Sequence, residues 1–378
     1  MSRPILKRKI GFYTSSDCYG GLEKNALHFI EWLIGKNNEV VLLSPVENQI
    51  SKVAGDRKIP RIFPQKSKSY ISLKKAYRLS RILHNQKFEY LFILRPLDIL
   101  LAAVTKILFC GKIRLIYFQQ SILRLKKHPW LYSFIFRPYD AWITPSTYLR
   151  DMAIQMVRYK PSRLYVIPPC IDVEYYKKST LTSNAARNLL GLPADRIILG
   201  SIGRYDLRRK HDFLIRCIQL LHRYNFMVDL MIMGKTSGKE DEEYFQFLQE
   251  LAKECQVEEY IHFRTYTDKI ITFFKAVNIF IMNWAGEPYD LLLIKAMASG
   301  TPVIARFSDY NNEILENGKY GLQYEDDDIE GLSSKIIHLL TQKLLAQHLK
   351  NESAKIVSEK YDKQVGCKQV DELLNLLT

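Results

Sequence analysis

The sequence predicts an α/β protein made of two doubly wound, parallel-sheet domains in tandem. Three observations carry that reading. Apolar runs of strand length alternate with amphipathic stretches of helix length through the chain, the alternation that a parallel sheet requires. The alternation runs twice, in two series separated by Pro168-Pro169 and a polar stretch at 179–184. The charge divides at the same place: residues 1–180 hold 31 Lys+Arg against 12 Asp+Glu, and residues 181–378 hold 24 against 28. Halves so different support a boundary near 180 and point the first half at an acidic partner.

The elements follow in order. Residues 9–14 read as a strand, 15–21 as a polar turn with glycines, and the next stretch as a helix with the apolar face Leu22, Ala26, Phe29, Ile30, Leu33 and Ile34. Gly35 and Asn37-Asn38 end that helix, and 39–43 is the second strand of a βαβ unit. Buried strands are expected at 90–94, 114–118, 141–144 and 164–167. The second series has strands at 197–202, 228–233, 260–263, 277–282 and 302–305. Its helices include one with the face Phe213, Leu214, Cys217, Ile218 and Leu221, one near 241–255 and one at 290–299. Three domains of chain are expected: 1–180, 181–355, and a C-terminal helix at 356–378 that can pack back on the first domain.

Composition sets several classes aside. The 378 residues are 47% apolar, 25% charged and 12% aromatic, a globular balance long enough for two domains. No period of a repeat protein is visible. The start carries Arg3, Lys7, Arg8 and Lys9 with no apolar run after them, so a secretory signal is not expected. The most membrane-like stretch, 91–109, contains Arg95, Asp98 and Lys106. Each would cost about 2.5–3.5 kcal/mol at a bilayer centre, so the stretch reads as strand plus helix. Six scattered cysteines, Cys18, Cys110, Cys170, Cys217, Cys255 and Cys367, form no CxxC, which suits a reducing cytosol and neither zinc nor a disulfide framework.

In doubly wound sheets ligands bind beyond the carboxyl ends of the strands, so the loops there are the candidate site. The first holds Gly20-Gly21 before a helix, where a backbone can approach a phosphate; glycines serving the turn alone are the plainer alternative. The second is Gly203-Arg204-Tyr205-Asp206-Leu207-Arg208-Arg209-Lys210. Arg204 offers a planar fork for two phosphate oxygens and Lys210 a compact charge, while Arg208 and Arg209 are expected to be solvated. Cations fixed here would stabilise a leaving diphosphate more in the transition state than in the ground state. The third is Gly286-Glu287-Pro288-Tyr289-Asp290 and the helix after it, ending in Ala296-Met297-Ala298-Ser299-Gly300-Thr301-Pro302-Val303. Glu287 can accept hydrogen bonds from sugar hydroxyls, or serve only the helix dipole.

Together these loops resemble the GT-B glycosyltransferases of glycosyltransferase family 4, over nearly the whole chain. Glu287 through Val303 matches the family's glutamate loop and its Ala-Met-Ala-x-Gly-x-Pro-Val helix; that motif is the specific one. Arg204 and Lys210 stand six residues apart as the family's diphosphate-binding pair does. Ile167-Pro168-Pro169-Cys170-Ile171-Asp172 is similar, more loosely, to the turn into the second domain. The resemblance implies two Rossmann-like domains facing each other across a cleft. It implies a nucleotide-sugar donor held by the second domain at Gly203, Asp290, Leu291, Leu292 and Lys295 with the Gly20-Gly21 amides. A saccharide or lipid-linked acceptor is then held by the first. It also implies transfer with retention and without a metal or other cofactor. Arg204, Lys210, Glu287 and Gln120 are the residues expected at the reacting groups, and the departing phosphate itself can take the acceptor proton.

Three positions depart from the family pattern. Lys295 replaces a second glutamate that receives ribose hydroxyls, and a lysine can donate to a hydroxyl but cannot accept from one. Asp290 stands where a glycine amide meets the donor phosphates. Turned inward, it would oppose a like charge about 4 Å away by roughly 4 kcal/mol at an effective dielectric near 20, so it either faces away or meets an unusual donor. Gln119-Gln120 occupy the place of a histidine near the transferred sugar, and a glutamine carries no proton. A homologue that binds sugar or nucleotide without transfer is therefore the alternative reading. Epimerisation needs acid–base groups in the cleft, and few are evident.

Residues 122–137 interleave Arg124, Lys126 and Lys127 with Trp130, Tyr132, Phe134 and Phe136, and 66–81 adds Lys66, Lys68, Lys74, Lys75, Arg78 and Arg81, continued by Lys87. Such a surface suits an anionic membrane face, at about 1 kcal/mol per cation, and places the protein in the cytoplasm with a peripheral contact on the inner leaflet. The alternative is that the aromatic residues are core. Nucleic acid is set aside, since no recognition motif accompanies the basicity.

Overall fold

The strand-length apolar runs pair side by side, all in parallel, into two sheets. A computed structural model describes residues 7–17, 19–64, 72–109, 111–119, 129–285 and 291–378. The first sheet contains β1 (Lys9–Tyr13), β2 (Glu39–Leu43), β3 (Arg61–Ile62), β4 (Tyr90–Ile93), β5 (Arg114–Phe118), β6 (Ala141–Thr144) and β7 (Leu164–Val166). Their order is β3-β2-β1-β4-β5-β6-β7. The second contains β8 (Ile197–Ile202), β9 (Val228–Gly234), β10 (Ile261–Thr265), β11 (Ile279–Met282), β12 (Val303–Arg306) and β13 (Leu322–Tyr324), ordered β10-β9-β8-β11-β12-β13. Helices cover both faces, which is why β4, β6, β9 and β11 are buried along their whole length. The expected doubly wound α/β class is the class found.

The chain divides into two compact units. One takes the residues up to Cys170 and the returning tail Lys363–Thr378; the other holds the described residues between Ile171 and Asp362. The division falls earlier than position 180 because the helices Val173–Lys177 and Ser183–Leu190 place Val173, Tyr176 and Ala186 in the core of the second unit. The return falls later than 356, because the helix Lys343–Lys360 is unbroken and Ile171 pairs with Asp362 within the second unit. The last helix, Lys363–Leu376, then buries Cys367, Val370, Leu373 and Leu374 with Phe29, Ile30 and Leu33 of the first unit. Its approach is close: a Cβ on Gly366 would collide with Cys170 Sγ.

Most predicted elements lie within two residues of the observed ones. Two strands were not expected at all, and one begins late. β3 and β13, of two and three residues, were too short to show a period. The strand expected from 277 begins at Ile279, since Val277 still closes the helix Ile270–Ala276. Of the aromatic residues expected beside cations, Phe136 is core, stacked on Trp142 with centroids 4.3 Å apart, whereas Phe134 is exposed. Lys66, Lys68 and residues 120–128 lie outside the described residues. The four described cysteines, Cys170, Cys217, Cys255 and Cys367, are buried. No helix among the described residues is long and apolar enough to cross a membrane.

Candidate functional site

The order of the second sheet sets its ligand edge. β8 leads outward to β9 on one side, and β11 leads to β12 on the other, so β8 and β11 are the adjacent strands at which the winding reverses. Loops leaving their carboxyl ends open the crevice where such sheets bind ligands. The loop after β8 is the predicted Gly203–Lys210 segment. The residues after β11 are Asn283 and Trp284, then the helix Leu292–Ala298.

These two loops are fastened to each other. Asn283 Nδ2 donates to the carbonyl oxygens of Arg209, at 2.5 Å, and Lys210, at 2.7 Å, and Asn283 Oδ1 accepts from the buried Ser201 hydroxyl. The Arg209 guanidinium lies 4.3 Å from the Trp284 ring centroid, a cation–π contact. Arg209 is therefore half-buried structure, not the solvated cation expected, whereas Arg208 is exposed as expected. Gly203 itself passes close to β9: a Cβ on Gly234 would collide with the Gly203 carbonyl oxygen, so only glycine fits at the end of β9.

Lys210 sits in the left-handed region, with φ of +47°. That conformation costs an ordinary side chain roughly 1–2 kcal/mol, and Asn283 holds it in place. The ammonium pairs with Asp326 at 2.8 Å and Asp327 at 2.6 Å, from the loop after β13, and Asp326 pairs also with Arg306 at 2.6 Å. Burial works against the charge on Lys210, but these hydrogen bonds outweigh it and hold its pKa above the ordinary lysine value. Burial likewise opposes the Asp326 carboxylate, and Lys210 and Arg306 outweigh it and hold that pKa low. Arg204 pairs with Asp206 at 3.0 Å, and its carbonyl oxygen is 3.1 Å from His211 Nε2. His211 is fully buried and Nδ1 has no partner among the described residues. Burial lowers its pKa to about 4, so the ring is neutral and Nε2–H donates to Arg204.

The structure thus gathers Gly203, Arg204 and Lys210 in one loop, with Leu291, Leu292 and Lys295 after the adjacent strand. Leu291 is buried, while Leu292 and Lys295 are half-buried. The helix there spans seven residues, shorter than the 290–299 predicted. Glu287, Asp290 and Gln120 lie outside the described residues. Gln119 is fixed in the first unit's core, where its Oε1 accepts from Trp142 Nε1 at 3.0 Å.

The glycine turn belongs to the first unit. Gly20 is extended, with φ of −135°, and a Cβ there would meet only Glu23 Oε2 at 3.7 Å. Neither conformation nor packing within the described residues demands glycine at 20. Glu23 accepts from the Gly20 amide at 2.8 Å and from Ser16 Oγ at 3.2 Å. Ser15 donates its amide and hydroxyl to the two oxygens of Asp98, at 2.9 and 2.7 Å, and Arg95 donates to the Ser15 carbonyl. Asp98 is 4% exposed; burial raises its carboxyl pKa against the hydrogen bonds from Ser15 and the charges of Arg95 and Lys75.

Asp206, Asn283, Trp284, Arg306, Asp326 and Asp327 were missed in the sequence. The signal for the last two was an acidic run directly after a strand, hidden because β13 itself was not recognised.

Comparison with known proteins follows this geometry. The model described as Glycosyl transferases group 1 matches residues 183–356, and the model described as Glycosyltransferase Family 4 matches 19–175. The D-inositol 3-phosphate glycosyltransferase of Corynebacterium urealyticum is 28% identical over 186 residues, 48% of this chain and 43% of that protein. The lipopolysaccharide core biosynthesis glycosyltransferase LpsE of Rhizobium meliloti is 26% identical over 163 residues, 43% of this chain and 45% of that one. The chain spans less than half the length of these curated relatives. A glycosyltransferase from Rickettsia africae ESF-5 superposes with a TM-score of 0.86 at 14% identity, covering 97% of this chain and 98% of that one. Anabaena Alr3699/HepE in complex with UDP superposes with 0.84 at 17% identity, covering 97% and 99%.

Proposed function

The chain belongs to the group 1 glycosyltransferases of GT-B fold, and from that premise we propose that it moves a sugar from a nucleoside diphosphate donor to a saccharide or lipid-linked acceptor. The reading includes retention of configuration, independence of metal, and a place in cell-surface polysaccharide or glycolipid assembly from the cytoplasmic face of a membrane. One observation carries it. Lys210 is held in a strained backbone conformation at the point where the second sheet reverses, six residues after Arg204, by contacts from two neighbouring loops. Lys58, Lys87 and Arg158 share that left-handed backbone, so it is the ion pairs with Asp326 and Asp327 that fix this charge in space.

The chemistry then follows from charge. As the glycosidic bond breaks, its electron pair passes to the diphosphate, and Arg204 and Lys210, exchanging their aspartate partners for phosphate oxygens, meet the developing charge. The departing phosphate oxygen accepts the acceptor's hydroxyl proton on the same face, which gives retention and requires no enzyme nucleophile. Glu287 and Gln120 hold sugar hydroxyls, and Lys295 meets the nucleotide. UDP-sugars are the first donors to try, since the HepE structures hold UDP and UDP-glucose.

The test is donor hydrolysis followed by proton NMR with UDP-, GDP-, ADP- and dTDP-sugars. The expected result is slow release of the α-configured sugar from one of them, falling about 10²–10³-fold in Arg204→Ala. Nucleotide binding with no hydrolysis of any donor would favour the alternative, a homologue that binds without transfer, for which Lys295, Asp290 and Gln120 speak.

A further inference from the structure

Arg306 closes β12, the strand that follows β11 in the second sheet, and its Nη2 pairs with Asp326 Oδ2 at 2.6 Å. The other oxygen of the same carboxylate holds the Lys210 ammonium at 2.8 Å. One aspartate thus lies between two cations whose strands, β8 and β12, flank β11. Arg306 is built in as firmly as the loop that carries Lys210. Asn311, fully buried, donates to the carbonyl oxygens of Arg306 at 2.8 Å and Trp284 at 3.3 Å, which ties the end of β12 to the end of β11. Asn283 ties the β8 loop to β11 in the same way. The guanidinium is only partly used. Nε, which forms a fork with Nη2, is buried and has no hydrogen-bond partner among the described residues. A buried donor left unmade costs free energy and calls for an explanation.

We propose that Arg306 is a phosphate-binding residue of the donor site, and that the Asp326 carboxylate stands where the donor's diphosphate enters between Arg306 and Lys210. The identity of the anion rests on the reading above. Asp326 divides its two oxygens between two cations, whereas a phosphoryl group has a further oxygen and fills the Nε–Nη2 fork of Arg306 while still meeting Lys210. The exposures decide which groups yield. The side chains of Arg306 and Lys210 are 20% and 29% exposed, and those of Asp326 and Asp327 are 43% and 72% exposed. The aspartates belong to the acidic run Glu325-Asp326-Asp327-Asp328 and turn into water at small cost, while the cations stay rooted at their strand ends. Two positive charges face two negative ones here, so a diphosphate takes the place of the aspartates with the local charge still balanced. Lys210 then meets it from the β8 side and Arg306 from the β12 side.

Calorimetric titration of UDP, GDP, ADP and dTDP into the wild type finds the nucleotide it binds, and that nucleotide is then titrated into the variants. Arg306→Gln is expected to weaken binding about tenfold or more, through loss of a charge-assisted fork. Arg306→Lys keeps the charge without the fork, and its affinity is expected to fall between the two. Asp326→Asn removes the competing carboxylate and is expected to tighten binding about twofold or more. That gain is expected to shrink in Arg306→Gln/Asp326→Asn, where one of the two cations it frees is gone. An aspartate that merely braces the cations gives the opposite sign, so weaker binding in Asp326→Asn overturns the proposal. An affinity unchanged in Arg306→Gln also overturns it and leaves the donor reading standing. Thermal unfolding without nucleotide checks each fold; should Arg306→Gln not fold, Arg306→Lys is read by the same criterion. No binding of any of these nucleotides by the wild type contradicts the donor reading itself, and the assignment of Arg306 falls with it.

Discussion

At the scale of single residues, the site is a set of charges balanced against one another. Lys210 shares two aspartates in this structure, so a diphosphate reaching it must compete with them. Partly exposed pairs of this kind contribute about 0.2–1 kcal/mol each. Asp326→Asn with Asp327→Asn is therefore expected to tighten donor binding by about two- to thirtyfold, most at low salt, as measured by calorimetric titration. His211 gives a pH signature. Unfolded, its imidazole takes up a proton near pH 6.5; folded, only near 4. Between those values the unfolded state binds a proton that the folded state refuses, so stability falls as pH drops from 6.5 to 4 and then levels. The full effect is about 3 kcal/mol. Urea unfolding at several pH values should show that acid limb in the wild type and a flatter one in His211→Asn. Arg204 and Lys210 could be named as candidates from the sequence because residue type alone states what they offer. Asp326 and Asp327 were not, because their importance lies in what they face, across a sheet whose last strand has only three residues.

At the scale of elements, the loops work because strands hold their roots. The β8 loop touches β9 through Gly203 and Gly234, and β11 through Asn283. Gly234→Ala should therefore cost about 1–3 kcal/mol of second-unit stability by crowding the Gly203 carbonyl, read by urea unfolding, and weaken UDP binding through the displaced loop. The long strands and helices were readable because burial on both faces leaves continuous apolar runs, and amphipathic helices leave their 3.6 period. β3 and the helix Gln49–Asp56 escaped because so few residues show no period. The helix Leu292–Ala298 is shorter than its apolar sequence indicates.

At the scale of the molecule, the chain crosses from one unit to the other at Cys170–Ile171 and returns at Asp362–Lys363. The final helix thereby completes the core of the first unit. Leu374→Ala, at a fully buried position, should cost about 2–5 kcal/mol of that unit's stability, visible as a lowered first transition on heating while UDP still stabilises the second. The uneven charge of the halves was plain in the sequence, and a final helix packing back on the first domain was expected, but the point of its return was not, because the helix Lys343–Lys360 runs past the expected boundary at 356. The central claim is that the Gly203–Lys210 loop holds the diphosphate of a nucleotide sugar. Thermal unfolding against UDP-, GDP-, ADP- and dTDP-sugars, in the wild type and in Lys210→Ala, tests it most directly. A donor at a hundred times its dissociation constant stabilises by about 2.7 kcal/mol. The account predicts that shift for one nucleotide class in the wild type and its loss in Lys210→Ala; no shift with any donor, or an equal shift in both proteins, would contradict it.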